Sequence, residues 1–174
     1  MSNLRSLPTF VGDGVCHVVV ESPRGSALKV KYDAERGVMM LSRPLPAGLT
    51  YPHDWGFVPS TRAADGDPLD AMIVWDGVSF PGLAVACRPI GVLEVEQTNL
   101  KTGARERNDR LVALPVNAQR WAPIGTVFDL SERIRLELEQ FFLAAGAFEK
   151  KDLALLGWDG PDKAMTLIQE SAIG

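Results

Sequence analysis

The first 116 residues are interrupted so often by Gly, Pro, Asn and Asp that apolar segments stay short, and this rhythm restricts them to brief strands joined by turns. Val15 to Glu21, Ala27 to Tyr32, Val38 to Leu41, Leu69 to Trp75, Ala84 to Arg88, Gly91 to Val95 and Arg110 to Val116 read as strands. In the second, Leu28, Val30 and Tyr32 alternate with Lys29 and Lys31, so the two lysines share the face opposite the apolar one. Helical periodicity arrives late. Ile134, Leu138, Phe141, Phe142 and Ala145 share one helix face, Asp129 and Glu132 fit a capping box, and Gly146 is a stop signal. A shorter helix is predicted from Pro161, with Ala164, Leu167 and Ile168 on one side. Short strands followed by helices argue for an α+β, mainly β, compact barrel with helices packed outside it.

A length of 174 residues suits one domain over 1–174 with an ordinary core. The net charge of −4 creates no general field for nucleic acid or an anionic membrane, so any anion site must be local. Cys16 and Cys87 form no CxxC or Cys/His pattern and read as buried reduced thiols. His17 and His53 lack partners at metal-site spacing, which argues against a zinc centre. The N-terminal residues have no apolar signal core, and the longest apolar run, 141–148, is too short to cross a bilayer; a cytoplasmic location is expected.

The run DGDPLD crowds Asp65, Asp67 and Asp70 into six residues. Like charges this close repel unless water or cations intervene, and a divalent ion is the natural partner. Gly66 permits an unusual backbone angle, Pro68 stiffens the loop, and Leu69, Met72 and Val74 then enter an apolar strand. Mg²⁺ suits such a site because it takes oxygen ligands and keeps several waters beside substrate phosphate oxygens. An EF-hand reading fails, since Asp70 stands where the sixth-position glycine is required. Taken alone, the run also fits a solvated acidic turn.

The neighbours of this run carry a resemblance. YPHDWGFVP, Tyr51 to Pro59, precedes the acidic motif, Arg43 stands shortly before, and FPG at 80–82 and RPIGVL at 88–93 follow. In this spacing the chain resembles the soluble inorganic pyrophosphatases from about Val18 to Ile168. The resemblance implies a small five-stranded closed barrel of OB-like form with flanking C-terminal helices, Mg²⁺ as cofactor, hydrolysis of pyrophosphate to two phosphates, and a homo-oligomer. It further implies that Asp65 and Asp70 are metal ligands, with Glu21 supporting an outer ion, and that Asp67 is the general base beside the attacking water. Lys29, Arg43 and Tyr51 match phosphate-holding positions, and Arg110 stands where the family has a phosphate-binding lysine.

The chain also departs from the family pattern. Lys31 replaces an acid, Trp55 a tyrosine, Gln97 and Asn108 two aspartates, and Ala145-Gly146 a Tyr-Lys pair. Asp109 neighbours Asn108, although on a regular strand it points to the other face. The inserted loop 98–108 is either a solvated hairpin or a lid whose basic groups hold phosphate while Glu106 or Asp109 completes a metal shell. Two other functions therefore stand beside pyrophosphate hydrolysis: hydrolysis of a larger phosphoanhydride, with Trp55 stacking on a base, and non-catalytic phosphate binding. An OB-type nucleic-acid binder ranks last for want of a basic aromatic groove.

Overall fold

In the computed structural model, residues 3–174 are described. The strands are β1 (Phe10–Gly12), β2 (Val15–Ser22), β3 (Leu28–Asp33), β4 (Val38–Pro44), β5 (Asp54–Phe57), β6 (Asp70–Ile73), β7 (Ala84–Thr98), β8 (Arg105–Arg107), β9 (Arg110–Pro115) and β10 (Ala154–Asp159). Two helices, α1 (Glu132–Ala145) and α2 (Pro161–Ser171), flank β10. Pairings run from β2 through β5, β6, β9 and β7 and back to β2, so five strands form a ring-like sheet; the β6–β9 pair is parallel. A separate hairpin of β3 and β4 stands beside it.

The ring depends on β7, which is long enough to pair with β2 through Ala84–Cys87, with β9 through Cys87–Leu93, and with β8 and β10 beyond. The two strands predicted at 84–88 and 91–95 are thus one strand. What reads as a break, Arg88-Pro89-Ile90-Gly91, is an irregularity between Pro89 and Gly91. Proline, having no N–H to donate, is tolerated in a sheet at such a site. β5 was not predicted. Its four residues are all buried, so they show no polar alternation. Gly56 makes that strand possible, because a Cβ there would lie 1.8 Å from the carbonyl oxygen of Val19 on β2.

Both helices cover apolar faces of the sheet. Leu138, Phe141 and Phe142 of α1 join Met72, Val74, Ile90, Leu93 and Val112, while Ala164 and Ile168 of α2 join Val18, Val20, Leu69, Ile73 and Val92. The predicted capping box is corrected: Ser131 caps α1, its hydroxyl accepting from the Ile134 amide at 3.3 Å. Asp129 instead closes the preceding 3₁₀ turn, accepting from the amides of Gly125 and Thr126 at 2.9 and 3.0 Å. Gly146 ends α1 and Pro161 begins α2, both at the predicted positions. Cys16 and Cys87, distant in sequence, are buried free thiols at facing positions of β2 and β7.

Candidate active site

The acidic loop is fixed from both sides before it reaches β6. Gly66 adopts φ +86, a left-handed angle that a side chain would strain, and the Asp65 carboxylate accepts the Asp67 amide at 3.1 Å. The Ala63 amide donates to the Asp67 carbonyl at 2.7 Å, and the Leu69 amide donates to the Thr61 hydroxyl at 2.9 Å. Buried Leu69 then anchors the strand, and Asp65, Asp67 and Asp70 emerge at its mouth.

These three carboxylates line a small cavity of about 80 Å³. The β3–β4 hairpin contributes Lys29, Lys31 and Arg43; β7 contributes Gln97; β9 and the residues before it contribute Arg110 and Asn108. Tyr51, Trp55, Phe141 and Phe142 supply aromatic walls, and the segment after α1 supplies Glu149 and Lys151. Seven residues singled out in the sequence, Lys29, Arg43, Tyr51, Asp65, Asp67, Asp70 and Arg110, therefore converge although they span 82 positions of chain from Lys29 to Arg110. Lys29 and Arg43 lie directly opposite one another across β3 and β4. Like charges in that relation destabilise a hairpin unless an anion lies between them.

Two of the carboxylates are already paired with the chain's own cations. Lys31 Nζ lies 3.2 Å from Asp67 Oδ2, and Arg110 Nη1 lies 2.7 Å from Asp70 Oδ2. The Arg110 guanidinium is 5.4 Å from the Trp55 ring centre and 5.6 Å from that of Phe142, a cation–π arrangement that fixes it in place. Arg43 donates from Nε to Glu149 at 3.1 Å and from Nη2 to the Ala145 carbonyl at 3.0 Å. Two buried polar atoms of cavity residues have no partner, Arg110 Nε and Gln97 Oε1.

The environment shifts several of these groups. Burial pushes Lys29 down, against the attraction of Glu149 and Asp70. Burial also opposes the charge on Lys31, but Asp67 outweighs it and the ammonium is held above its usual value. Asp65 is raised by burial and then by the neighbouring carboxylates. The Tyr51 phenol is pushed up to about 12, chiefly by burial, so it acts here as a neutral hydrogen-bonding group.

Two of the predicted metal residues, Glu21 and Asp109, are not in the lining of this cavity. Glu21 lines a narrow adjoining cleft with Asp67 and Asp70; its Oε1 accepts the Tyr32 amide at 2.7 Å, and burial raises it to about 7. Asp109 faces away from the cavity: its Oδ1 accepts the Val95 amide at 2.9 Å and the Arg107 guanidinium at 3.0 Å. Side chains alternate along a strand, so with Arg110 turned inward its neighbour Asp109 turns outward. The loop 98–108 does not form a lid, and Asn108 is its member that lines the cavity. β8 folds back on β7, Arg105 pairs with Glu96 at 2.8 Å, Arg107 pairs with Glu94 at 2.7 Å, and Glu106 accepts from Gln97 and Asn99. The basic and acidic groups that do complete the rim, Lys151 and Glu149, were not singled out; their signal was the Glu149-Lys150-Lys151 run shortly after the helix stop.

Asp65 and Asp70 offer carboxylate oxygens to the cavity and Gln97 Oε1 is a neutral oxygen without a partner, the ligand type that hard divalent cations take. Among the described residues no three His, Cys, Asp or Glu side chains converge as a ready-made chelate.

The family model for inorganic pyrophosphatase matches residues 18–173. The chain belongs to the inorganic pyrophosphatase family. It is 33% identical over 168 residues to the inorganic pyrophosphatase of a Synechocystis strain, covering 97% of this chain and 96% of that one. It is 34% identical over 169 residues to the enzyme of a Nostoc strain, covering 97% and 96%. The crystal structure of inorganic pyrophosphatase from Thermus thermophilus superimposes with a TM-score of 0.89 at 33% identity, covering 98% of this chain and 97% of that one. The ring-like sheet with two helices is this family's fold, and the family is one of metal-dependent hydrolases.

Against the family pattern, the altered residues are concentrated at the cavity. Lys31, Trp55, Gln97, Asn108, Ala145 and Gly146 all line it. Trp55 is nearly fully buried, stacked against Tyr51 at 6.4 Å, edge-on to Phe142 at 5.5 Å and covered by Arg110. Its faces are occupied, which removes the expectation that it stacks on a substrate base.

Proposed function

We propose that the chain hydrolyses inorganic pyrophosphate to two phosphates, with Asp67 as the general base. The observation that carries this reading is the convergence of three loop carboxylates with the facing Lys29–Arg43 pair in one small cavity. Lys29, Arg43, Arg110 and Lys151 bind the phosphate oxygens, Arg as a planar fork and Lys as a point charge. Tyr51 donates its phenolic proton to a phosphate oxygen. Lys31, 3.2 Å from Asp67, holds that carboxylate in place. Asp67 takes a proton from water as its oxygen attacks phosphorus; the P–O bond to the bridging oxygen breaks, and the second phosphate leaves on that oxygen. Positioning and charge neutralisation do most of the work in such a transfer. Asp65, Asp70 and Gln97 Oε1 would hold Mg²⁺, which would supply a lowered pKa for water and offset phosphate charge. Glu21 and Asp109 serve the scaffold, through Tyr32 and through Val95 with Arg107.

We further propose that residues 1–174 act as one unit, cytoplasmic and homo-oligomeric; no helix among the described residues is long and apolar enough to cross a membrane. The test of substrate class is phosphate release from pyrophosphate against nucleoside di- and triphosphates, with Mg²⁺ and then Mn²⁺. Preference for pyrophosphate supports the reading. Equal or better use of the nucleotides would sink it, and pyrophosphate binding without any turnover would reduce the chain to a phosphate-binding homologue.

A further inference from the structure

Every nitrogen of the Arg43 guanidinium already donates to the chain itself. Nε donates to Glu149 Oε1 at 3.1 Å, Nη2 to the Ala145 carbonyl at 3.0 Å and Nη1 to the Pro44 carbonyl at 3.4 Å. An arginine grips a phosphate with paired donors along one edge of its planar fork. Here the edge formed by Nε and Nη2 is taken, in part by a carboxylate of the same chain. Glu149 also feels two more cations of the cavity. Burial opposes its charge, but Lys29, Lys151 and Arg43 together outweigh burial and hold its carboxyl below the usual carboxylate range. The Glu149 carboxylate thus stands among three of the cations assigned to phosphate.

The segment that carries Glu149 is pinned at its ends and loose between them. Gly146 closes α1 at one end. At the other, the Lys151 carbonyl accepts the Thr98 amide at 2.6 Å, and the Asp152 carbonyl accepts Arg105 Nη1 at 2.6 Å. Between them Phe148 is 83% exposed, so packing of its ring does not hold the segment down. Lys150 and Asp152 take left-handed angles, φ +56 and +47, which non-glycine residues keep only where their surroundings impose them. A separate groove of about 320 Å³, lined in part by Leu143, Ala147, Lys150 and Asp152, runs beside the segment and gives it room to swing. The partly exposed ion pair with Arg43 is what ties Glu149 to β4.

We infer that Glu149 is a tethered competitor of the substrate: its carboxylate occupies Arg43 until pyrophosphate displaces it, and residues 147–150 move aside as a gate. Glu149 thereby sets the affinity for pyrophosphate and for the phosphate product, and takes no part in bond breaking. An anion that needs the open gate binds more weakly in proportion to how seldom the gate is open, so one factor scales both ligands. The inference rests on reading the cavity as a pyrophosphate site. It goes beyond that reading by giving a regulatory role to a carboxylate that binds neither phosphate nor metal.

Glu149→Gln in the full-length protein keeps the size of the side chain and removes its charge. It should lower KM for pyrophosphate, and the Kd for inorganic phosphate measured by isothermal titration in Mg²⁺, each by about three- to tenfold, with kcat within about twofold of wild type. Glu149→Asp, which keeps the charge, should stay closer to wild type in both. A residue that merely holds Arg43 in position would give the opposite sign, a higher KM and weaker phosphate binding in Glu149→Gln. That result, or no change in either quantity, would overturn the inference while leaving the pyrophosphate reading in place. Glu149→Asp matching Glu149→Gln would overturn it too, since charge would then not be what competes. Tighter phosphate binding by Glu149→Gln, with no pyrophosphate turnover by either protein, would uphold the competitor and sink the pyrophosphate reading. No phosphate binding by either protein would overturn the competitor.

Discussion

Glu21→Gln should stabilise the protein at alkaline pH and leave it unchanged in acid. Glu21 is buried at 6% exposure between β2 and the β3–β4 hairpin; one oxygen accepts the Tyr32 amide at 2.7 Å, and burial, then the Asp70 charge, raise it from 4.5 to about 7. The folded chain thus holds this proton more tightly than the unfolded chain does. The stability it contributes is fully present below about pH 4.5 and is lost as pH rises through about 7. A separation of roughly 2.5 units at about 1.4 kcal/mol each corresponds to about 3 kcal/mol lost above pH 8. Glutamine keeps a carbonyl oxygen for the Tyr32 amide and cannot ionise. Urea unfolding in EDTA should therefore show Glu21→Gln about 3 kcal/mol more stable than wild type at pH 8.5, with the difference vanishing near pH 4. Equal stability at both pH values, or a loss at pH 8.5, would refute the assignment of Glu21 as a buried acid that resists ionisation.

Gly56→Ala should cost about 3 kcal/mol or more by urea unfolding, since its Cβ would fall 1.8 Å from the Val19 carbonyl oxygen and β2 and β5 would have to separate. Leu138→Ala, which empties a buried position where α1 meets the sheet, should cost about 2–5 kcal/mol in the same assay. Lys29→Met should raise KM for pyrophosphate at least about tenfold while chemical denaturation stays near wild type, because it removes a phosphate contact and relieves the like-charge pairing with Arg43.

The acidic loop was legible because its information is local: three carboxylates, a glycine at a positive φ and a proline all fall within six residues. The face of α1 was legible for the same reason, since the apolar positions repeat with the helix itself. Elements whose signal is tertiary were not. β5 is four buried residues without alternation, and Gly56 is explained only by a strand that pairs with it from 35 or more positions earlier in the chain. The bend in β7 reads as two strands because Pro89 and Gly91 are turn residues until the neighbouring β9 shows them to be an irregularity in one strand. At the site, Lys29, Arg43, Tyr51 and Arg110 came from family resemblance, and strand parity already favoured the outward direction of Asp109. That Glu149 and Lys151 close the rim depends on how the segment after α1 turns back, with Lys150 and Asp152 at φ +56 and +47, which no pattern in the sequence announces.

Phosphate release from pyrophosphate in Mg²⁺, measured for wild type beside Asp67→Asn, addresses Asp67 directly. The carboxylate lies in the cavity 3.2 Å from Lys31 and is half-exposed, so its replacement by the isosteric amide disturbs no packing. Turnover by wild type with a loss of about 100-fold to 10,000-fold in kcat for Asp67→Asn, at unchanged thermal stability, is the predicted result for a general base. Equal turnover by the two proteins would contradict it, and so would a wild type that releases no phosphate.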